Sequence, residues 1–229
     1  MRAIGIVFSL LLAYTFALAG NGPTDFSKAK WELVSNKDEL QVYRWNVPKS
    51  ETFAFKATGV IDSPITKVAS VLTDIDREKE WLPDLESNHL VRRISNTERI
   101  EYVHIGTPFV IKDRDFVLRG SGTYEEKSKE LILEFHSVED ESAPLTNKVR
   151  GEIHASTYRL LPIDEGRKTH VTLLVHVDPC GSVPKWIVNL FQKDYPRTVF
   201  KAIRKQASKT DVQELNEVKR LINFTVPSK

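Results

Sequence analysis

The sequence predicts an α+β domain in which a curved antiparallel sheet wraps around one long C-terminal helix. Three observations carry this. Segments rich in β-branched and aromatic residues follow one another between residues 40 and 178, and several alternate apolar with polar side chains. A single long amphipathic segment, opened by Pro184, comes after them. Finally, no repeat, low-complexity tract or Ser/Gly linker divides the chain, and the lone Cys180 cannot form an internal disulfide. One continuous domain held by core packing is the simplest arrangement.

The chain opens on what reads as an address. Arg2 supplies a positive charge, Ile4 to Phe16 is almost wholly apolar, and Ala17-Leu18-Ala19 has the small-x-small form of a cleavage site. Residues 1–19 are therefore expected to be a signal peptide, and the mature protein is expected to be exported, periplasmic or secreted. The apolar run is shorter than the ~20 residues that span a bilayer. What remains is long enough to bury a large core or to surround a cavity. Its basic and acidic residues nearly balance, 33 against 31 in the whole chain, so no global field attracts nucleic acid.

Strands are expected at Leu40 to Val47, Phe53 to Ile61, Arg99 to Thr107, Phe116 to Tyr124, Leu131 to Val138, Val149 to Leu161 and Thr169 to Asp178. Phe53, Phe55, Ala57, Gly59 and Ile61 alternate with positions that include Lys56 and Thr58, so one face is wet and the sheet is antiparallel. Val171, Leu173, Val175 and Val177 form a second apolar row. Between the early strands, Ser63 is expected to cap and Pro64 to start a helix through Leu72, followed by a short helix over Glu78 to Leu82. In the terminal helix Trp186, Ile187, Leu190 and Phe191 share one face, and Pro196 is expected to bend it before Val199, Phe200, Ile203 and Ala207 resume that face. Thr210-x-x-Gln213 offers a capping box for a last, peripheral helix through Leu215, Val218 and Ile222. A sheet of this length gripping one helix leaves a hollow of at least ~300 Å³, a ready site for an apolar ligand.

Catalytic signatures are missing from the sequence. It contains no Gly-x-Ser-x-Gly elbow, phosphate loop, dinucleotide-binding turn or His-Glu-x-x-His helix. The six histidines are scattered singly, and the two on one strand, His170 and His176, lie ~20 Å apart, too far to share a metal. Cys180 sits in the turn Asp178 to Gly181 with no local partner base. Arg197, Lys201, Arg204 and Lys205 recur at helical spacing and read first as a solvated face, with contact to anionic headgroups as the alternative.

Four stretches, in order, resemble the START (steroidogenic-acute-regulatory-protein-related lipid transfer) domains. They are Trp31-Glu32-Leu33 with Leu40-x-Val42-Tyr43-Arg44, then Glu80-Trp81, then Arg114-Asp115-Phe116-Val117, and lastly Asp178-Pro179-x-Gly181-x-Val183-Pro184-x-Trp186-Ile187-Val188-Asn189. The resemblance spans nearly all of residues 24–208. It implies a helix-grip fold like that of the birch-pollen allergens, and a START-like lipid-binding domain over residues 20–208 with residues 209–229 as a short helical tail. It further implies a non-enzymatic monomer that binds a lipid or sterol-like molecule in a tunnel and transfers it between membranes, touching them transiently. The terminal helix and a neighbouring loop would be the lid, and no cofactor, metal or catalytic residue is required. The ligand-facing side chains it implies are Trp81, Glu101, Tyr102, His104, Arg114, Phe116, Leu118, Arg119, Phe135, His154, Ile187, Leu190 and Phe191.

One departure concerns charge. Sterol-handling members resemble one another in an acidic residue, matched here by Glu101, and an arginine six residues beyond the Arg of the Arg-Asp-Phe turn. That position is Gly120 here, with Arg119 one residue early, so Arg119 turns to the opposite face unless Gly120 permits a bulge. The alternative function is a cyclase-like or other small-molecule enzyme in the same hollow, for which Glu101, Arg119 and His154 are the candidate acid/base set.

Overall fold

The computed structural model describes residues 23–107, 111–183 and 185–223, with backbone alone for residues 185–193 and 223. The first strands are β1 (Glu32–Lys37), β2 (Leu40–Asn46) and β3 (Phe53–Ile61), followed by helix α1 (Ile65–Thr73) and a 3-10 helix at Ile75–Glu80. Next come β4 (Leu85–Arg93), β5 (Glu98–Ile105), β6 (Arg114–Glu125) and β7 (Glu130–Ser137). The chain then forms β8 (Val149–Arg150), β9 (Glu152–Ile163), β10 (Lys168–Asp178), α2 (Lys185–Ala207) and α3 (Asn216–Asn223). The strands lie in one sheet, ordered β1-β2-β3-β10-β9-β7-β6-β5-β4. All neighbours along that path are antiparallel, and only the two-residue β8 joins in parallel, beside β6.

The alternation that predicts strands also sets the faces. On the inner face Leu40, Val42, Ala57, Ile61, Leu131, Leu160, Val171 and Leu173 are almost fully buried against α1 and the second half of α2. Val199, Phe200, Ile203 and Ala207 supply the helix side of that contact. Gly59 admits α2 closely, because a Cβ there would stand 3.1 Å from the Phe200 ring and 2.9 Å from the Glu39 carbonyl. Arg197 reaches Ser35 and Asp38, Lys201 pairs with Asp38, and Arg204 donates to the Val60 carbonyl, so of Arg197, Lys201, Arg204 and Lys205 the first three tie the helix to the first strands and their turn rather than forming a solvated face.

Several expectations need correction. β1 and β4 were not expected as strands. The helix expected over Glu78 to Leu82 is a 3-10 helix that starts at Ile75 and ends at Glu80. The Ser63 hydroxyl does not cap α1; Pro64 holds the cap position, and Ser63 points to the carbonyls of Asp62 and Ala207. α2 is helical on both sides of Pro196, which is buried. The capping box at Thr210 starts no helix, since α3 begins at Asn216. Nor is that segment peripheral: Val212 and Val218 are buried in the main core, and the Leu215 amide donates to the Ser70 hydroxyl of α1. The expected signal peptide, residues 1–19, and Pro184 lie outside the described residues.

Candidate functional site: a cavity under the terminal helix

Between the inner face and α2 lies a cavity of about 260 Å³, somewhat smaller than expected, because large side chains such as Trp81, Phe135 and Tyr158 project into the space. Its walls are apolar side chains from β3 (Phe53, Phe55), β5 (Val103, Ile105), β6 (Phe116, Leu118) and β10 (Val175, Val177). Leu72 of α1, Trp81 and Leu82 close one side, and Tyr195 and Pro196 of α2 form the roof. Among the described residues the charged side chains at its surface are Glu78, Glu101 and Arg114.

Strand register explains which expected residues arrive there. In β5 the odd-numbered positions face inward and in β6 the even ones do, so Glu101, Arg114, Phe116 and Leu118 line the cavity, as do Trp81 and Phe135. Tyr102, His104, Arg119 and His154 do not. Tyr102 faces outward, where its hydroxyl donates to Asp115 (3.2 Å) and its ring stacks on His89. His104, on the same side of β5, bonds Asp113 at 2.8 Å. Arg119 pairs on the outer face with Glu98, and β5 and β6 stay in regular register past Gly120, so no bulge turns it inward. For His154 the cause is a bulge: β9 skips one residue opposite His176–Val177, which brings Ile153 inward and sends His154 out, where its ring lies tilted against His176 with centroids 4.5 Å apart. Side chains of Ile187, Leu190 and Phe191 lie outside the described residues. The acid/base set Glu101, Arg119 and His154 is therefore not assembled in the cavity.

Arg114 is buried and donates from Nε, Nη1 and Nη2 to the carbonyls of Pro179, Lys112 and Cys180 respectively. It clamps the turn that leads into α2, where Cys180 and Gly181 both take left-handed backbone conformations (φ 52° and 64°). The cation beside Glu101 is instead Arg99, two residues earlier on the same face of β5, with Nε 2.7 Å from the carboxylate. Arg99 also donates to the Thr73 carbonyl at 3.0 Å. Gly120, paired with Arg99 across β5 and β6, lets the Phe135 ring approach closely, since a Cβ there would stand 3.0 Å from it.

Glu78 was not foreseen. The 3-10 helix carries it into the cavity, where Asn88 of β4 donates to its Oε2 at 2.6 Å. Burial, and secondarily the charge of Glu101, push its pKa up to about 7, while the Asn88 hydrogen bond and Arg99 pull the other way. Tyr158 and Tyr195 share this end of the cavity and are held neutral by burial. The Trp81 indole Nε1, in a residue 8% exposed, is the one buried side-chain nitrogen or oxygen among the described residues with no hydrogen-bond partner.

Comparison with known proteins agrees with this architecture. The START domain family matches residues 24–210. A phosphatidylcholine transfer protein from Homo sapiens is 25% identical over 175 residues, covering 72% of this chain and 78% of its own. An uncharacterized protein from Pseudomonas aeruginosa is 24% identical over 213 residues, 91% of this chain and 100% of its own. The crystal structure of human STARD10 superposes with a TM-score of 0.71 at 23% identity, over 79% of this chain and 74% of that one, and shares the helix-grip fold. The chain belongs to the START domain family.

Proposed function

We propose that this domain is a non-enzymatic carrier that takes one lipid molecule out of water into the cavity beneath α2, acting as an exported monomer. The observation that carries the reading is the cavity, a space walled by Phe, Leu, Ile and Val side chains between a sheet and a helix with few polar groups at its surface. Moving an acyl chain or ring system from water into such walls stabilises the complex by ~0.8 kcal/mol per methylene. The similarity to a phosphatidylcholine transfer protein supports a lipid as the occupant. Export rests on residues 1–19 alone.

A bulky lipid needs the roof to lift. The turn Asp178 to Gly181 is the pivot, with two successive left-handed residues before α2 and the Arg114 guanidinium holding two of its carbonyls. Native mass spectrometry of the protein purified from its own source, followed by solvent extraction, tests the reading. A stoichiometric lipid recovered chemically unchanged is expected. Protein that is empty, or that holds a chemically altered ligand, overturns the carrier.

A further inference from the structure

We propose that the trough holding the ligand continues past Phe135 into a second pocket beneath α3, and that this pocket takes the far end of the ligand's apolar chain, with Phe135 as the gate. The inference rests on the lipid-binding reading and adds a subsite that sets chain length.

The inner row of β6 runs Phe116, Leu118, Gly120, Gly122. The first two wall the main cavity, and the two glycines border a second pocket of about 60 Å³. Successive inward glycines strip that part of the floor of side chains, and β6 keeps regular register with β7 through both of them. A glycine inside an unbulged strand marks a place where another group approaches the backbone closely. Phe135 lies over Gly120, where a Cβ would stand 3.0 Å from its ring, and Leu221 of α3 lies over Gly122, where the distance would be 3.1 Å.

Phe135 is the partition, because it borders both spaces. The Arg99–Glu101 pair spans the same boundary, with Glu101 against the main cavity and Arg99 against the pocket. A rotamer change of one ring, with glycine rather than a side chain opposite it, opens the passage. The far wall is Val218 and Leu221 of α3. That helix begins at Asn216, whereas the family match ends at residue 210, so the pocket is completed by a segment outside the shared domain.

The occupant is apolar. Leu131, Leu133, Val218 and Leu221 surround the glycine floor. The charged side chains at the rim are already paired, Arg93 with Glu217, Glu98 with Arg119 and Arg99 with Glu101. A methyl-ended chain needs no partner here, whereas a polar group would lose its water to charges that are engaged with one another.

Vesicles carrying equal mole fractions of dimyristoleoyl-, dioleoyl- and dierucoylphosphatidylcholine and of the three matching diacylglycerols are offered to the full chain. The lipid extracted into the protein is read as a ratio of long to short chains within each head group. Val218→Phe fills the pocket from α3 without touching the main cavity, and it is expected to lower that ratio by about fourfold for each methylene displaced. Phe135→Ala opens the passage and is expected to raise the ratio. Because Phe135→Ala also widens the main cavity, the double variant decides: with the pocket filled, the gain is expected to vanish. If Val218→Phe loses its cooperative unfolding transition, Gly122→Ala narrows the same pocket from the sheet side and is read in its place. A ratio that the pocket-filling variant leaves unchanged, or a Phe135→Ala gain that persists in the double variant, overturns the chain-end subsite while lipid binding stands. Uptake of none of these lipids by the folded protein overturns the lipid-binding reading and this inference with it.

Discussion

The two faces of the sheet bury polar groups in opposite ways. On the outer face Asp115, with no exposed surface, accepts hydrogen bonds from Arg150, Thr146 and Tyr102. Burial alone would raise its pKa, but those donors outweigh it and hold the carboxyl below the ordinary range. Also on that face His176 is enclosed by Thr24, Ser50 and Thr52, and burial together with His154 lowers its pKa to about 4. On the inner face Glu78 is pushed the other way and Trp81 Nε1 lacks a partner. Closed networks fix a structure, whereas a half-closed one leaves chemistry for something that is yet to arrive.

That contrast can be broken by substitution. Asp115→Ala has the largest expected effect, about 2 kcal/mol, because it strands the buried Tyr102 hydroxyl and takes the carboxylate from Thr146 and the half-exposed Arg150; chemical unfolding measures it. This stability is present above the ordinary aspartate pKa of 3.8 and is lost as the pH falls through the lower folded value, so the wild-type protein approaches the variant only in acid. A loss under about 1 kcal/mol would mean that the outer network is not closed in the sense argued here.

The inner face predicts a smaller effect of opposite pH sign. The folded pKa of Glu78 lies above its ordinary value of 4.5, so its favourable contribution is full below that value and is lost as the pH rises through about 7. Between pH 6 and pH 8 the wild-type protein should lose about 1 kcal/mol relative to Glu78→Gln, read from paired unfolding curves. Parallel curves across that range would place the Glu78 carboxyl in an ordinary aqueous environment.

Legibility in the sequence followed the same division between faces. β3 and β10 carry regular alternation, and their expected positions match the structure within a residue. β1 and β4 escaped notice because they are the two edge strands, mostly exposed, whose residues such as Glu86, Ser87 and Arg92 have no reason to be apolar. Among the site residues, parity along β5 and β6 places Glu101, Phe116 and Leu118 correctly and shows why Arg119 fails. Simple alternation from Tyr158 and Ser156 would put His154 inward, and only the bulge in β9, which leaves no sequence mark, reverses it. Arg99 is not legible as the partner of Glu101 because the family resemblance points to an arginine on the next strand, whereas Arg99 lies two positions away on the same one. Glu78 was missed for a different reason: a 3-10 helix has too short a repeat to announce a face.

The central claim is that the cavity beneath α2 is where the lipid resides, and filling it is the most direct test. Val175 borders that space from the middle of β10. In Val175→Trp the indole occupies room that a ligand would need. The quantity to measure is the lipid that co-purifies with the folded variant, set against wild type prepared alongside it. A fall of about tenfold or more, with a cooperative unfolding transition retained, is the result this account predicts. A stable Val175→Trp protein carrying as much lipid as wild type would contradict it.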